Sequence, residues 1–283
     1  MNIIQTPAHL LEWRNDIFAQ GKRVALVPTM GNLHAGHLSL IDKAKTLADE
    51  VVVSIFVNPL QFGPKEDFNQ YPRTLVADCA LCETRGASVV FAPSVQDIHP
   101  VTTVHAEVRV PGLSDELCGK SRPGFFYGVT TVVAKLFNLV RPDVAVFGEK
   151  DYQQYKIIER MITEMQYPIQ LICAPTVREA NGLAMSSRNQ YLNAPDKELA
   201  GELYQKMVVM KQALETTAQH VQTICEQAKQ DLTQLGFIMD YLEVRQASDL
   251  AQDKTAKQLK ILVAAWLKGV RLIDNVSVER PFS

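Results

Sequence analysis

The stretch VALVPTMGNLHAGHLSLIDKAKTLADEVVVSIFV, residues 24–57, contains a strand, a turn, a helix and a second strand in quick succession. An apolar run over 23–28 stops at Pro28, and a turn containing Gly31 follows. Over 37–49, Leu38, Ile41, Ala44, Leu47 and Ala48 recur at helical spacing. Residues 51–57 are apolar almost throughout, as a strand covered on both faces requires. Strand, helix and strand in that order predict a parallel pair with a crossover helix.

The same alternation continues outward. Helical patterns cover 74–86, 130–140 and 151–165, and apolar strands cover 88–93, 143–148 and 169–175. Repeated alternation predicts an α/β fold, a doubly wound, Rossmann-like parallel sheet over residues 1–177. From residue 178 the character changes. A polar loop, REANGLAMSSRNQYL, precedes two helical patterns at 196–216 and 218–235 and strands at 240–246, 260–267 and 270–275. Leu242 and Val244 alternate with polar neighbours, as in a sheet with one solvated face. A second, smaller α+β C-terminal domain over 178–283 is therefore expected.

Composition narrows the function. Lys and Arg number 29 against 31 Asp and Glu, for a net charge of -2, which argues against a general nucleic-acid binder. No apolar run approaches the roughly 20 residues that span a bilayer. The N-terminal MNIIQTPAHLLEWRND lacks the apolar core of a signal peptide, so a cytoplasmic protein without membrane partners is expected. Five scattered cysteines suit a reducing compartment. Cys79 and Cys82 form a C-x-x-C but have no second pair at zinc spacing, and they read as helix residues.

In an open parallel sheet, ligands bind beyond the carboxyl ends of the strands. Unusual polar residues cluster there. The first strand of the stretch leads into Thr29, Met30, Gly31, Asn32, His34, Gly36 and His37, and the second into Asn58 and Gln61. A later strand leads into Gly148, Glu149, Lys150, Asp151 and Gln154, and the last precedes a loop with Ser186, Ser187 and Arg188. His34 and His37, three apart at a helix head, share a face. With the free N–H groups and partial positive charge of that helix end they form a cradle for phosphate oxygens. The alternative is a capping histidine plus a core histidine. A metal site lacks a recognisable third ligand. CGKS at 118–121 imitates the end of a P-loop, but its glycine spacing is wrong and no strand precedes it.

Together, LVPTMGNLHAGH, VSIFVNPLQF, YPRTL, FGEKDYQQ and LAMSSRNQYL closely resemble the pantothenate synthetase (pantoate–β-alanine ligase) family, from about residue 3 to about 275. HAGH resembles the HIGH signature of a nucleotidyltransferase superfamily, and MSSR sits where that superfamily has its KMSKS-type loop. The resemblance implies ATP-dependent condensation of pantoate with β-alanine through a pantoyl adenylate, a step in coenzyme A biosynthesis. It implies phosphate donors at His34, His37, Lys150, Ser186, Ser187 and Arg188, with proton transfer at His37. It places the nucleotide on Met30, Gly31, Gly36, Gly148, Glu149, Asp151, Val177 and Met185. Gln61 and Gln154 match the family's pantoate contacts, and Asn58 joins them. Mg²⁺ is implied as the counter-ion of ATP, with Asp78 as a weak protein contact, and a homodimer is implied as the assembly. One departure stands out. The family pattern usually has a histidine where this chain has Phe125, and often an arginine at Tyr127.

Rival readings remain at this level. Another enzyme of the superfamily, acting on a phosphorylated acceptor, would need more cations than NPLQF offers. An aminoacyl-tRNA synthetase would need a longer chain and a basic tRNA-binding module. A regulatory nucleotide-binding module would not need the acceptor amides.

Overall fold

A computed structural model describes residues 1–64, 66–100, 106–216, 220–253 and 256–280. It divides into two compact units, one of Met1–Gly148 with Ile157–Ala174, the other of Glu149–Lys156 with Pro175–Ser283.

The first unit runs β1 (Asn2–Ile4), α1 (Pro7–Ala19), β2 (Val24–Thr29), α2 (Ala35–Lys45), β3 (Glu50–Ile55), α3 (Leu75–Thr84), β4 (Val89–Phe91), α4 (Val95–Ile98), α5 (Cys118–Ser121), α6 (Phe125–Val140) and β5 (Val144–Gly148). Next come α7 (Tyr152–Glu164), whose residues from Ile157 belong to this unit, and β6 (Gln170–Ala174). The strands form one parallel sheet in the order β1-β4-β3-β2-β5-β6. Ala25, Val27, Val51, Val53, Val144 and Val146 cluster with apolar residues of α2 and α3. Their strand neighbours Val24, Leu26, Val52 and Ala145 are equally buried. Successive strand side chains point to opposite faces, so the sheet is covered on both, as the unbroken apolar runs require.

Topology singles out one edge of the sheet. From β2 the chain goes to β3 on one side, and β5 pairs with β2 on the other. The order reverses at β2, and the crevice beyond its carboxyl end is the usual ligand position in such sheets. The His34 loop leaves β2 there. The sequence pattern does not reveal β1 and α1. Three residues are too few to show a period, and α1 carries its apolar residues in a weak pattern. α6 begins five residues before the expected Thr130, after Gly124 in the left-handed region at φ 84°. CGKS forms the short α5, with no strand before it.

The second unit contains α8 (Ala194–Ala200), α9 (Glu202–Thr216), α10 (Val221–Gln234) and the antiparallel β7 (Ile238–Gln246), β8 (Gln258–Leu267) and β9 (Val270–Glu279). The pattern at 196–216 is two helices, not one. The break falls at Gly201, where a Cβ would lie 2.8 Å from the Asn181 carbonyl oxygen. Asn181 itself donates to the Lys197 carbonyl at 2.8 Å, so a loop residue takes the carbonyl that an unbroken helix would pair with the Gly201 N–H, which bonds to Glu198 instead. Positions 218 and 219 of the next pattern lie outside the described residues. Leu203, Met207, Ile224, Leu232, Leu242 and Val263 share this unit's core. Among the described residues no helix is long and apolar enough to cross a membrane.

Candidate active site

The loop after β2 is built by short polar contacts. Thr29 Oγ1 donates to the Ser54 carbonyl at 2.8 Å and accepts the Gly31 N–H at 3.2 Å. Gly31 and Asn32 both take positive φ, 81° and 50°, which turns the chain sharply off the strand. A Cβ at Gly31 would stand 3.0 Å from Asp78 Oδ2 and 3.1 Å from Ile55 Cγ2, so glycine is required twice over. The Asp78 carboxylate, buried on α3, then accepts the N–H groups of Asn32 at 3.0 Å and Leu33 at 2.8 Å. Thr74 Oγ1 donates to the same carboxylate at 3.0 Å. Asp78 thus spends both oxygens on the loop. The carboxylate that the resemblance offers to Mg²⁺ also serves as a structural clamp.

His34 and His37 turn out to be a reciprocal helix cap. His34 Nδ1 accepts the Gly36 N–H at 3.1 Å, and His37 Nδ1 accepts the His34 N–H at 3.4 Å. The ring centroids are 4.0 Å apart. A neutral imidazole that accepts at Nδ1 carries its hydrogen on Nε2. The cap therefore fixes both tautomers and makes each Nε2–H a donor. No acidic residue lies in the first turn of α2, so nothing there offsets the helix dipole's affinity for an anion. The capping alternative and the phosphate cradle are not rivals, since Nδ1 serves the first and Nε2 suits the second.

The NPLQ segment after β3 is a 3₁₀ turn, Pro59–Gln61, packed against α6. Asn58 is fully buried. Its Nδ2 donates to Gln61 Oε1 at 2.9 Å and to the Gly128 carbonyl at 3.0 Å, and its Oδ1 accepts the Leu60 N–H at 3.3 Å. His99 Nε2 lies 2.9 Å from the same Oδ1. The amide is engaged on all sides. Asn58 stands behind half-buried Gln61 as its support, which differs from the direct substrate contact expected of it. Gly128 admits this packing, since a Cβ there would fall 2.2 Å from the Leu60 carbonyl oxygen.

Arg122 holds the other side of Gln61. Its guanidinium pairs bidentately with Glu66 at 2.6 and 2.7 Å and donates to the Gln61 carbonyl at 3.0 Å. Phe125 lies under that guanidinium, 3.7 Å from ring centroid to Cζ. Tyr127 donates its hydroxyl to Asp115 at 2.6 Å, which holds the Asp115 carboxyl below its ordinary range. In place of the family's usual histidine, the chain offers a ring that supports Arg122.

In the second unit, Glu149–Asp151 forms a 3₁₀ turn after Gly148, and half-buried Gln154 follows on α7. Asn275 on β9 donates to the carbonyls of Glu149 at 2.8 Å and Lys150 at 2.9 Å. Buried Lys260 donates to Glu149 Oε1 at 2.6 Å and Ser277 Oγ at 2.8 Å, with its ammonium 4.2 Å from the Tyr152 ring centroid. The three-stranded sheet thus fixes the backbone that carries Lys150. Lys150 Nζ lies 3.7 Å from Asp151, a loose pair that offsets little of the ammonium's charge.

The MSSR segment is equally ordered. The Met185 N–H donates to the Val177 carbonyl at 3.0 Å, and Arg178 and Ala184 bridge. Ser186 Oγ accepts the Arg188 N–H at 3.2 Å and caps a 3₁₀ turn over Ser187–Tyr191. Arg178 is bidentate to buried Asp274 at 2.5 and 3.0 Å and stacks on Tyr204. Sequence reasoning passed over His99, Arg122, Gly128, Lys135, Lys260 and Asn275. Two left a trace, a lone lysine in each of two largely apolar segments, TTVVAKLFNLV and KILVAAWL.

A family model for Pantoate-beta-alanine ligase matches residues 2–277. Two structures of pantothenate synthetase from Thermus thermophilus are 39% and 40% identical, cover 98% of this chain and 99% of theirs, and give TM-scores of 0.89 and 0.90. A pantoate-beta-alanine ligase from Francisella tularensis, described in complex with Beta-gamma ATP and Beta-alanine, is 33% identical over 98% of this chain and 97% of its own, at TM-score 0.82.

Proposed function

The chain belongs to the pantoate–β-alanine ligase family, and from that premise we propose how its residues divide the reaction. The enzyme condenses pantoate with β-alanine at the expense of ATP, through pantoyl adenylate. In the first half-reaction a pantoate carboxylate oxygen attacks the α-phosphorus, and the bond to pyrophosphate breaks. In the second the β-alanine amine attacks the acyl carbon, AMP leaves, and the amine loses a proton.

The observation that carries the residue assignment is the histidine cap. In our reading the Nε2–H groups of His34 and His37 donate to phosphate oxygens of ATP, on which negative charge builds in the transition state. His37 also serves proton transfer. Met30, Gly31 and Gly36 receive the nucleotide in the first unit, where Gln61 takes the hydroxy acid. In the second unit Lys150 and Arg188 supply cationic charge, Ser186 and Ser187 supply hydroxyls, and Gln154 takes the hydroxy acid. Gly148, Glu149, Asp151, Val177 and Met185 complete the nucleotide's surroundings.

Mg²⁺ fits this reading as an ion held by the phosphates themselves. Among the described residues no group of three or more His, Cys, Asp or Glu is arranged to hold a metal, and Mg²⁺ commonly binds through substrate phosphates. When bound it would neutralise phosphate charge. We also read the enzyme as a cytoplasmic homodimer without nucleic-acid or membrane partners. The odd, scattered set of five cysteines supports a reducing compartment.

Isotope exchange tests the order of chemistry. Labelled pyrophosphate should enter ATP when pantoate is present and β-alanine is absent, and turnover should yield AMP. Release of ADP, or exchange that strictly needs β-alanine, would contradict the adenylate route.

A further inference from the structure

Behind Gln61 lies a buried chain of polar groups whose direction can be read from the chemistry of its ends. The Gly128 carbonyl can only accept, so the atom of Asn58 facing it at 3.0 Å is the amide nitrogen. The other end of that amide is then the oxygen, which accepts from the Leu60 N–H. His99 Nε2, 2.9 Å from the same oxygen, must carry a hydrogen. Nδ1 of the neutral ring is left with a lone pair. Lys135 Nζ, a donor only, sits 3.1 Å from Nδ1 and 2.7 Å from the Ile98 carbonyl. Each link therefore donates to the next in one sense, from Lys135 to His99 to Asn58 to Gln61.

The last link sets what Gln61 shows. Asn58 Nδ2 donates to Gln61 Oε1 at 2.9 Å, which turns the Gln61 NH₂ away from Asn58. A flipped Gln61 would bring two NH₂ groups face to face. We propose that Lys135 and His99 are positioning residues that act through Asn58 to hold the Gln61 amide as a donor toward substrate. Such a group selects an acceptor oxygen, the carboxylate or a hydroxyl oxygen of the hydroxy acid. Lys135 supports this reading because its ammonium has a defined task inside an otherwise uncharged helix. Burial lowers its proton affinity, and a carbonyl and a lone pair compensate.

The inference rests on the assignment of Gln61 to the hydroxy acid, and the tests separate the two. Histidine labelled with ¹⁵N reads the His99 tautomer directly in the wild-type enzyme, with the His99→Gln variant identifying the signal. The hydrogen should be on Nε2 alone. A hydrogen on Nδ1, or on both nitrogens, overturns the chain of donors whatever Gln61 does. Lys135→Met should raise the KM for pantoate by about 10-fold, the size expected for a lost charged hydrogen bond, while the KM for ATP stays within about twofold. Lys135→Arg should restore most of the loss. In a Gln61→Ala background Lys135→Met should add nothing further to the pantoate KM. An equal rise for ATP, or full additivity with Gln61→Ala, refutes the positioning role. An unchanged pantoate KM in Gln61→Ala alone refutes the assignment of Gln61 and leaves the tautomer result standing.

Discussion

Leu33 donates its backbone N–H to the Asp78 carboxylate at 2.8 Å, across 45 positions of sequence. Asn32 does the same at 3.0 Å. One buried side chain on α3 thus holds the turn that delivers His34 and His37. Asp78→Ala leaves two N–H groups without an acceptor, at a cost of about 1–3 kcal/mol each. Pyrophosphate exchange should therefore fall steeply along with the melting temperature, and Asp78→Asn, which keeps one acceptor, should fall between. Exchange at wild-type rate in Asp78→Ala would remove the clamp from the account.

Gly128 and Leu60 give a second prediction. With 2.2 Å between an added Cβ and a backbone oxygen, Gly128→Ala must displace the 3₁₀ turn bearing Gln61. Overpacking of this kind costs about 1–3 kcal/mol. The KM for pantoate should rise more than that for ATP, and urea titration should show the loss of stability. Unaltered kinetics in both substrates would mean that the turn relaxes without moving Gln61.

Lys150 and Lys260 are expected to separate chemistry from support. Lys150→Ala should slow adenylation by on the order of 10²- to 10³-fold with little change in stability, because its pair with Asp151 is loose at 3.7 Å. Lys260→Ala removes a buried ammonium from Glu149 and Ser277, so it should lower both adenylation and melting temperature. If Lys150→Ala melts early and Lys260→Ala does not, the two roles have been exchanged.

Cys82 is fully buried, and desolvation first, then its neighbours Cys79 and Asp78, push its thiol up to about 12. Burial also raises the Cys79 thiol. Neither should react with a thiol reagent in the native enzyme at neutral pH, and both should react after unfolding. The unfolded Cys82 thiol ionises near 9.0 and the folded one near 12, so the folded state holds the extra proton between them and stability falls as pH rises through that window. Rapid labelling of Cys82 at neutral pH without unfolding would contradict its burial.

Local order was legible because it repeats. Helices advertise themselves through a period of 3.6, and doubly covered strands through unbroken apolar runs, which need only neighbouring residues. The strands expected at 23–28, 51–57, 88–93, 143–148 and 169–175 accordingly match β2 to β6 within a residue or two. β1 is three residues long and had no period to show, and the break at Gly201 depends on Asn181. The motif residues were visible as well, since HAGH, NPLQ, GEKD and MSSR are each contiguous. What the tertiary structure decided is which distant group completes each of them. Asp78 closes the His34 loop, Lys135 and His99 stand behind Asn58, and Lys260 and Asn275 hold the turn at Lys150. A buried polar group must find a partner, but packing alone chooses which one. That choice makes Asp78 a clamp on the His34 loop and sets Asn58 behind Gln61 as its support.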